Sequence, residues 1–120
     1  MDFDIPTNIQ EFNQYGEKYL FGFLGMEFLK VEEDEIIGRI VLQRHHFGWN
    51  GFVHAGVIFA LADYCAGYGC VRSLPDGAKG FTTIETKNNF LSTVSEGSIR
   101  AVATPLHRGR STQVWDVIVC

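Results

Sequence analysis

Between Ala55 and Val71 the chain carries a single charged side chain, Asp63, within an otherwise small and apolar run, Ala55-Gly56-Val57-Ile58-Phe59-Ala60-Leu61-Ala62-Asp63 and onward. A helix with no polar face is expected to be buried on all sides. An ionised carboxylate buried without partners costs several kcal/mol, so Asp63 is expected to be either paired or used. His54, just before the run, lies nine residues from Asp63, which on an α-helix is roughly 180° around and roughly 13 Å along the axis. The two cannot meet at one atom within one helix. If both serve one site, a second subunit must bring its own helix alongside, which points to a homodimer with composite sites.

The rest of the chain supplies strands. Pro6-Thr7 with Gln10 reads as a helix start with a capping box, after which Ile9, Phe12, Tyr15, Tyr19 and Phe23 recur at helical spacing. Residues 26–32 and 35–43 read as two strands around the acidic turn Glu32-Glu33-Asp34, with Ile36, Gly38, Ile40 and Leu42 on one face. A loop from Arg44 to Val53 holds His45, His46, Trp49 and Asn50. After the turn Leu74-Pro75-Asp76-Gly77, strands are expected at about 80–92, 97–106 and 111–119. One long helix against an antiparallel sheet is an α+β arrangement, and 120 residues make one domain, 1–120.

Three stretches in order carry a family resemblance: His54-Ala55-Gly56 with Asp63 after it, then Thr82-Thr83-Ile84-Glu85-Thr86-Lys87-Asn88-Asn89-Phe90-Leu91-Ser92, then His107-Arg108-Gly109-Arg110-Ser111. Together they resemble the hotdog-fold acyl-CoA thioesterases of the phenylacetate-degradation (PaaI-like) group, over about Gly51 to Val119. The resemblance implies a hotdog, with the sheet wrapped around the central helix, an N-terminal helix, and dimers, further paired into tetramers. It implies hydrolysis of an acyl- or aryl-acyl-CoA, with coenzyme A entering only as part of the substrate and no cofactor or metal. Family members usually continue into a further strand. Here Cys120 follows Asp116-Val117-Ile118-Val119, so either a final strand is missing or the sheet is shorter.

The same resemblance assigns roles. Asp63 would be general base or nucleophile, two roles the sequence does not separate. The amides of Ala55 and Gly56, at a helix N-terminus, would stabilise the thioester oxyanion. His54 would hold the helix entrance or contact the thioester, and Thr83 would orient the carboxylate or the water. Many relatives carry Asn or Gln six residues before the His. That position is Gly48 here, with Asn50 two residues on as a substitute. Arg108, Gly109, Arg110 and Ser111 form a turn suited to the phosphates of coenzyme A, with Lys79 as a further contact. Trp49, Phe59, Tyr64 and Tyr68 are expected either in an acyl pocket or in the core.

Composition narrows the alternatives. A net charge of −4 argues against nucleic acid as the main partner. Residues 64–120 nevertheless hold six bases against four acids, so an anionic ligand should meet that half. Three cysteines without a C-x-x-C spacing suggest free thiols in a reducing compartment, and His45-His46 lacks a third ligand at metal spacing. Asp2 and Asp4 stand where a secretory segment would be basic, and Asp63 interrupts the longest apolar run. The expectation is therefore a soluble cytoplasmic protein with no membrane span. An acyl-CoA-binding sensor without catalysis remains the alternative, and a hotdog hydroxyacyl dehydratase a more distant one, since the prolines of its catalytic His loop are absent.

Overall fold

In the computed structural model, residue 6 and residues 8–120 are described. The N-terminal segment forms two short helices, α1 (Ile9–Gly16) and α2 (Leu20–Phe23), where one was expected. Asn8 is the cap of α1, its Oδ1 accepting from the Glu11 amide at 2.9 Å; the expected cap residue Thr7 lies outside the described residues. The helix breaks after Gly16 because the Phe21 ring packs over that residue, where any Cβ would collide with it. Phe21 then joins Phe12, Phe28 and Tyr68 in a cluster of rings whose centroids lie 4.1–5.4 Å apart.

Four strands form one antiparallel sheet in the order β1-β2-β3-β4: Met26–Val31, Ile36–Val41, Ser98–Arg108 and Gln113–Val119. Of the face read for the second strand, Ile36, Gly38 and Ile40 are buried on the side of the long helix α3 (Ala55–Arg72), while Leu42 lies beyond β2 and is half-buried; Ile37, on the other face, is buried as well. Small residues set the approach. A Cβ at Gly38 would sit 2.6 Å from Cys65 Sγ, and Ala101 and Ala103 line the matching stretch of β3. The Trp115 ring lies against Gly69, where a side chain would displace it.

Two expectations fail within this chain. Residues 80–92 form no strand, although the sequence has the right composition for one. β4 is the sheet's last strand among the described residues, and the 80–92 segment lies outside the sheet with no neighbouring strand to complete a ladder. Instead it runs past α3, bringing Phe81 against Gly67. Nor is α3 buried on all sides. Val57, Leu61, Cys65, Tyr68 and Gly69 face the sheet, while Phe59 is exposed and Ala60, Ala62, Asp63, Ala66 and Gly67 are only half-buried. The sheet covers one side of the helix, and a single chain of this size has no second layer for the other. Among the described residues, no helix is long and apolar enough to cross a membrane.

Candidate active site

The start of α3 is built by the loop before it. A 3₁₀ turn, Arg44–His46, leads to an isolated bridge between Phe47 and Val53. His46 is 1% exposed, and both ring nitrogens are engaged: Nδ1 accepts from the Gln43 amide at 2.8 Å, and Nε2 lies 2.7 Å from the Leu24 carbonyl. Its own carbonyl accepts from the His54 amide at 2.9 Å. The sequence marked His46 only as a loop residue, yet it is the bolt between α2 and the entrance of α3. A pair of adjacent histidines carries no pattern that would have revealed this.

His54 is the N-cap of α3. Its Nδ1 accepts the Gly56 amide at 2.8 Å, which leaves the ring proton of the neutral imidazole on Nε2. Of the two amides expected to face a thioester, that of Gly56 is therefore taken by the imidazole, whereas no such cap engages that of Ala55. Around this helix start opens a cavity of about 680 Å³, lined among others by Gly48, Trp49, Asn50, His54, Ala55, Ile58, Phe90 and Ser92. Trp49 lies at the cavity rim and is fully exposed, so it is not part of the core. Tyr68 is core, 2% exposed, and Tyr64 packs edge-on against Phe21 with centroids 5.6 Å apart.

Asp63 belongs to a second locus, two turns further along α3. The Thr83 hydroxyl donates to its Oδ1 at 3.1 Å, one of the two contacts the family resemblance implied for Thr83. The carboxylate is half-buried rather than enclosed, because the helix face that carries it is uncovered. Neither Asp63 nor Thr83 lines the cavity at the helix start. Within one chain the structure brings together Asn50, His54 and Ala55 on one side and Asp63 with Thr83 on the other.

The turn after β3 divides its two arginines. Arg108 reaches back to the acidic β1–β2 turn, donating to the Glu33 carbonyl and, at 3.2 Å, to Asp34 Oδ1, while its guanidinium stacks 5.5 Å from the Trp115 ring centroid. Gly109 is required by packing, since a Cβ there would lie 2.6 Å from His107 Nε2 and 2.8 Å from the Thr112 carbonyl. Arg110, Ser111 and Lys79 are exposed. Sequence spacing gave no sign that Arg108 would meet a turn 75 residues away. Among the described residues, no group of three His, Cys, Asp or Glu side chains is placed to hold a metal ion.

Burial sets the state of the cysteines. The Cys65 thiol, enclosed between α3 and Gly38, is pushed up to about 12 by desolvation, partly offset by a backbone hydrogen bond from Gly38. Cys70 is half-buried and raised by the same cause, and Cys120 is exposed.

Comparison with known proteins agrees with this architecture. Residues 50–120, more than half of the chain, match the thioesterase superfamily. A 1,4-dihydroxy-2-naphthoyl-CoA hydrolase from Listeria monocytogenes is 30% identical over 95 residues, which cover 78% of this chain and 76% of that protein. A thioesterase from Haemophilus influenzae superimposes with a TM-score of 0.88 at 27% identity, covering 96% of this chain and 80% of the other. A phenylacetic acid degradation-related protein from Ralstonia eutropha shares the fold at a TM-score of 0.76 and 22% identity, covering 84% of this chain and 77% of its own. The four-stranded sheet packed on one long helix is thus a hotdog, and the chain belongs to the thioesterase superfamily.

Proposed function

We propose that the protein hydrolyses an acyl- or aryl-acyl-CoA thioester to the free acid and coenzyme A. Membership of the thioesterase superfamily carries the reaction class, and a naphthoyl-CoA hydrolase among its relatives supports a coenzyme A thioester as substrate. The observation that carries the reading is the Thr83–Asp63 hydrogen bond, which fixes the one carboxylate of an otherwise apolar helix on its open face. So held, Asp63 removes a proton from the attacking water, or attacks the carbonyl itself to give an anhydride that water then opens. The Ala55 amide, at the positive end of α3, supports the oxyanion that develops in either route. His54 keeps the helix start in place by capping Gly56. Arg110, Ser111 and Lys79 are exposed and lie in the basic half, and they are assigned to the nucleotide phosphates, with Gly109 shaping their turn. Arg108 is given a smaller share, because its guanidinium is engaged with Glu33, Asp34 and Trp115.

The working unit in this reading is a homodimer. Two features support it: the Asp63–Thr83 pair stands apart from the cavity at the helix start, and α3 keeps an apolar face uncovered. A second copy seated on that face would bring its helix start toward Asp63 and enclose the carboxylate.

The test is release of coenzyme A thiol from a panel of alkanoyl- and aryl-acyl-CoA thioesters. Wild-type protein should turn over at least one of them. Asp63→Asn nearly preserves size and hydrogen bonding, and should cost roughly 100-fold or more in kcat while acyl-CoA still binds. Normal hydrolysis by Asp63→Asn would remove the carboxylate from the mechanism.

A further inference from the structure

The groups assigned to the thioester oxygen sit on the first turn of α3, and the loop that leads into that turn is anchored by a side chain outside the cavity, His46. We propose that His46 is a positioning residue for the reaction: by bonding the Leu24 carbonyl at the end of α2, it fixes the loop that aims the His54 ring and the Ala55 amide at the cavity. The inference rests on the thioesterase reading and adds to it a residue that touches no substrate.

Three observations carry it. The ring is 1% exposed, and its two bonds allow one proton arrangement. Nδ1 accepts from the Gln43 amide at 2.8 Å and so carries no hydrogen, while Nε2, 2.7 Å from a carbonyl, must donate. Its partner there is a junction of the fold. Leu24 closes α2, and a helix end leaves its last carbonyls without intrahelical partners. Gly25, at a φ of 70°, then turns the chain directly into β1. One bond thus ties the loop both to α2 and to the edge of the sheet. Third, the same residue holds the other end of the loop. The His46 carbonyl accepts from the His54 amide at 2.9 Å, and the His54 carbonyl and Nδ1 accept in turn from the Val57 and Gly56 amides at 3.0 and 2.8 Å. A continuous run of bonds therefore passes from Leu24 through His46 to the first turn of α3.

Little else holds this stretch. Of residues 43–53 only His46 and Val53 are buried, and Val53 is tied through its amide to the Val94 carbonyl at 3.0 Å. An oxyanion donor works by being aimed before charge develops. A misplacement of about 1 Å in a reacting geometry costs on the order of 100-fold in rate, so an anchor that sets the start of α3 acts on turnover without meeting the substrate.

Two substitutions separate the bonds of the ring. His46→Asn keeps an acceptor where Nδ1 stands but is too short to reach Leu24. His46→Gln keeps a donor at the reach of Nε2 and leaves the Gln43 amide unpaired. Each gives up one hydrogen bond, so their melting temperatures should fall by similar amounts, and activity tells them apart. In thiol release from the best wild-type coenzyme A thioester, His46→Asn should lose at least roughly tenfold in kcat with KM within about threefold. His46→Gln should stay within about threefold of wild type in both. A third variant, Phe21→Leu, loosens α2 against Phe12, Phe28 and Tyr64 from outside the loop. It should lower kcat about threefold or more in the wild-type background and less than about twofold in His46→Asn, where the tie is already cut. Should His46→Asn fail to fold, Phe21→Leu in the wild-type background decides, and an unchanged kcat there overturns the proposal. A kcat loss in His46→Gln as large as in His46→Asn, or no loss in either, overturns the positioning role while wild-type turnover leaves the thioesterase reading standing. A wild-type protein inactive on every thioester overturns both.

Discussion

Replacing Thr83 by Val removes one hydroxyl and almost no volume, so it isolates the hydrogen bond to Asp63 Oδ1, 3.1 Å long. Hydrogen bonds to charged groups contribute about 1.5–3 kcal/mol. Thr83 is exposed and Asp63 half-buried, so water competes and the lower end applies, about 1.5 kcal/mol, or roughly tenfold in rate. Thr83→Val is therefore expected to lower kcat about tenfold with little change in KM, because in the proposed mechanism the bond orients the reacting carboxylate and does not hold substrate. Its melting temperature should stay close to wild type, since residues 81–93 are exposed and outside the sheet. The sharper readout is the double-mutant cycle. In an Asp63→Asn background the same substitution should cost less than about twofold, because the carboxylate it orients is already gone. Equal losses in both backgrounds, by thiol release on one coenzyme A thioester, would refute an action through Asp63, as would an unchanged kcat in Thr83→Val.

The two arginines of the β3–β4 turn should separate. Arg110→Ala should raise KM for coenzyme A thioesters and leave a short thioester lacking the nucleotide unaffected, whereas Arg108→Ala should mainly lower stability, by about 1 kcal/mol, through loss of its contacts with Asp34 and Trp115. Cys65 gives a pH dependence with a definite sign: its thiol is raised in the folded state from 9.0 to about 12, so its contribution is fully present below pH 9 and is lost as pH rises toward 12. Urea midpoints should fall across that window, with the raised hydroxyls of Tyr64 and Tyr68 acting in the same direction, and Cys65→Ala should flatten the dependence. At pH 8 a thiol-disulfide reagent should label exposed Cys120 in the native protein and leave Cys65 unmodified until denaturant is added.

Much of the scaffold was legible in sequence because local rules decide it. The apolar run 55–71 could only be a long packed helix, and it spans Ala55–Arg72. The alternation Ile36, Gly38, Ile40 named residues of the buried face of β2, and the strands expected at 97–106 and 111–119 fall within about two residues of β3 and β4. The family resemblance tied the Thr83 hydroxyl to the carboxylate or to the water, and in the structure that hydroxyl donates to Asp63.

Other features depended on contacts that sequence spacing does not encode. Phe21 folding over Gly16 broke the first helix in two. Arg108, assigned to phosphate by its position beside a glycine, was drawn to Glu33 and Asp34 across the sheet. Asn50 could be seen to stand two residues from the expected position, but only the folded loop shows its carboxamide filling the space above Gly48. Residues 80–92 have strand composition without a strand, and α3 has the composition of a buried helix with one face open. Helical period and capping are satisfied inside a segment, by bonds to neighbours four residues away. A ladder and a covered face need surface from elsewhere, and composition records the demand for that surface without recording what supplies it.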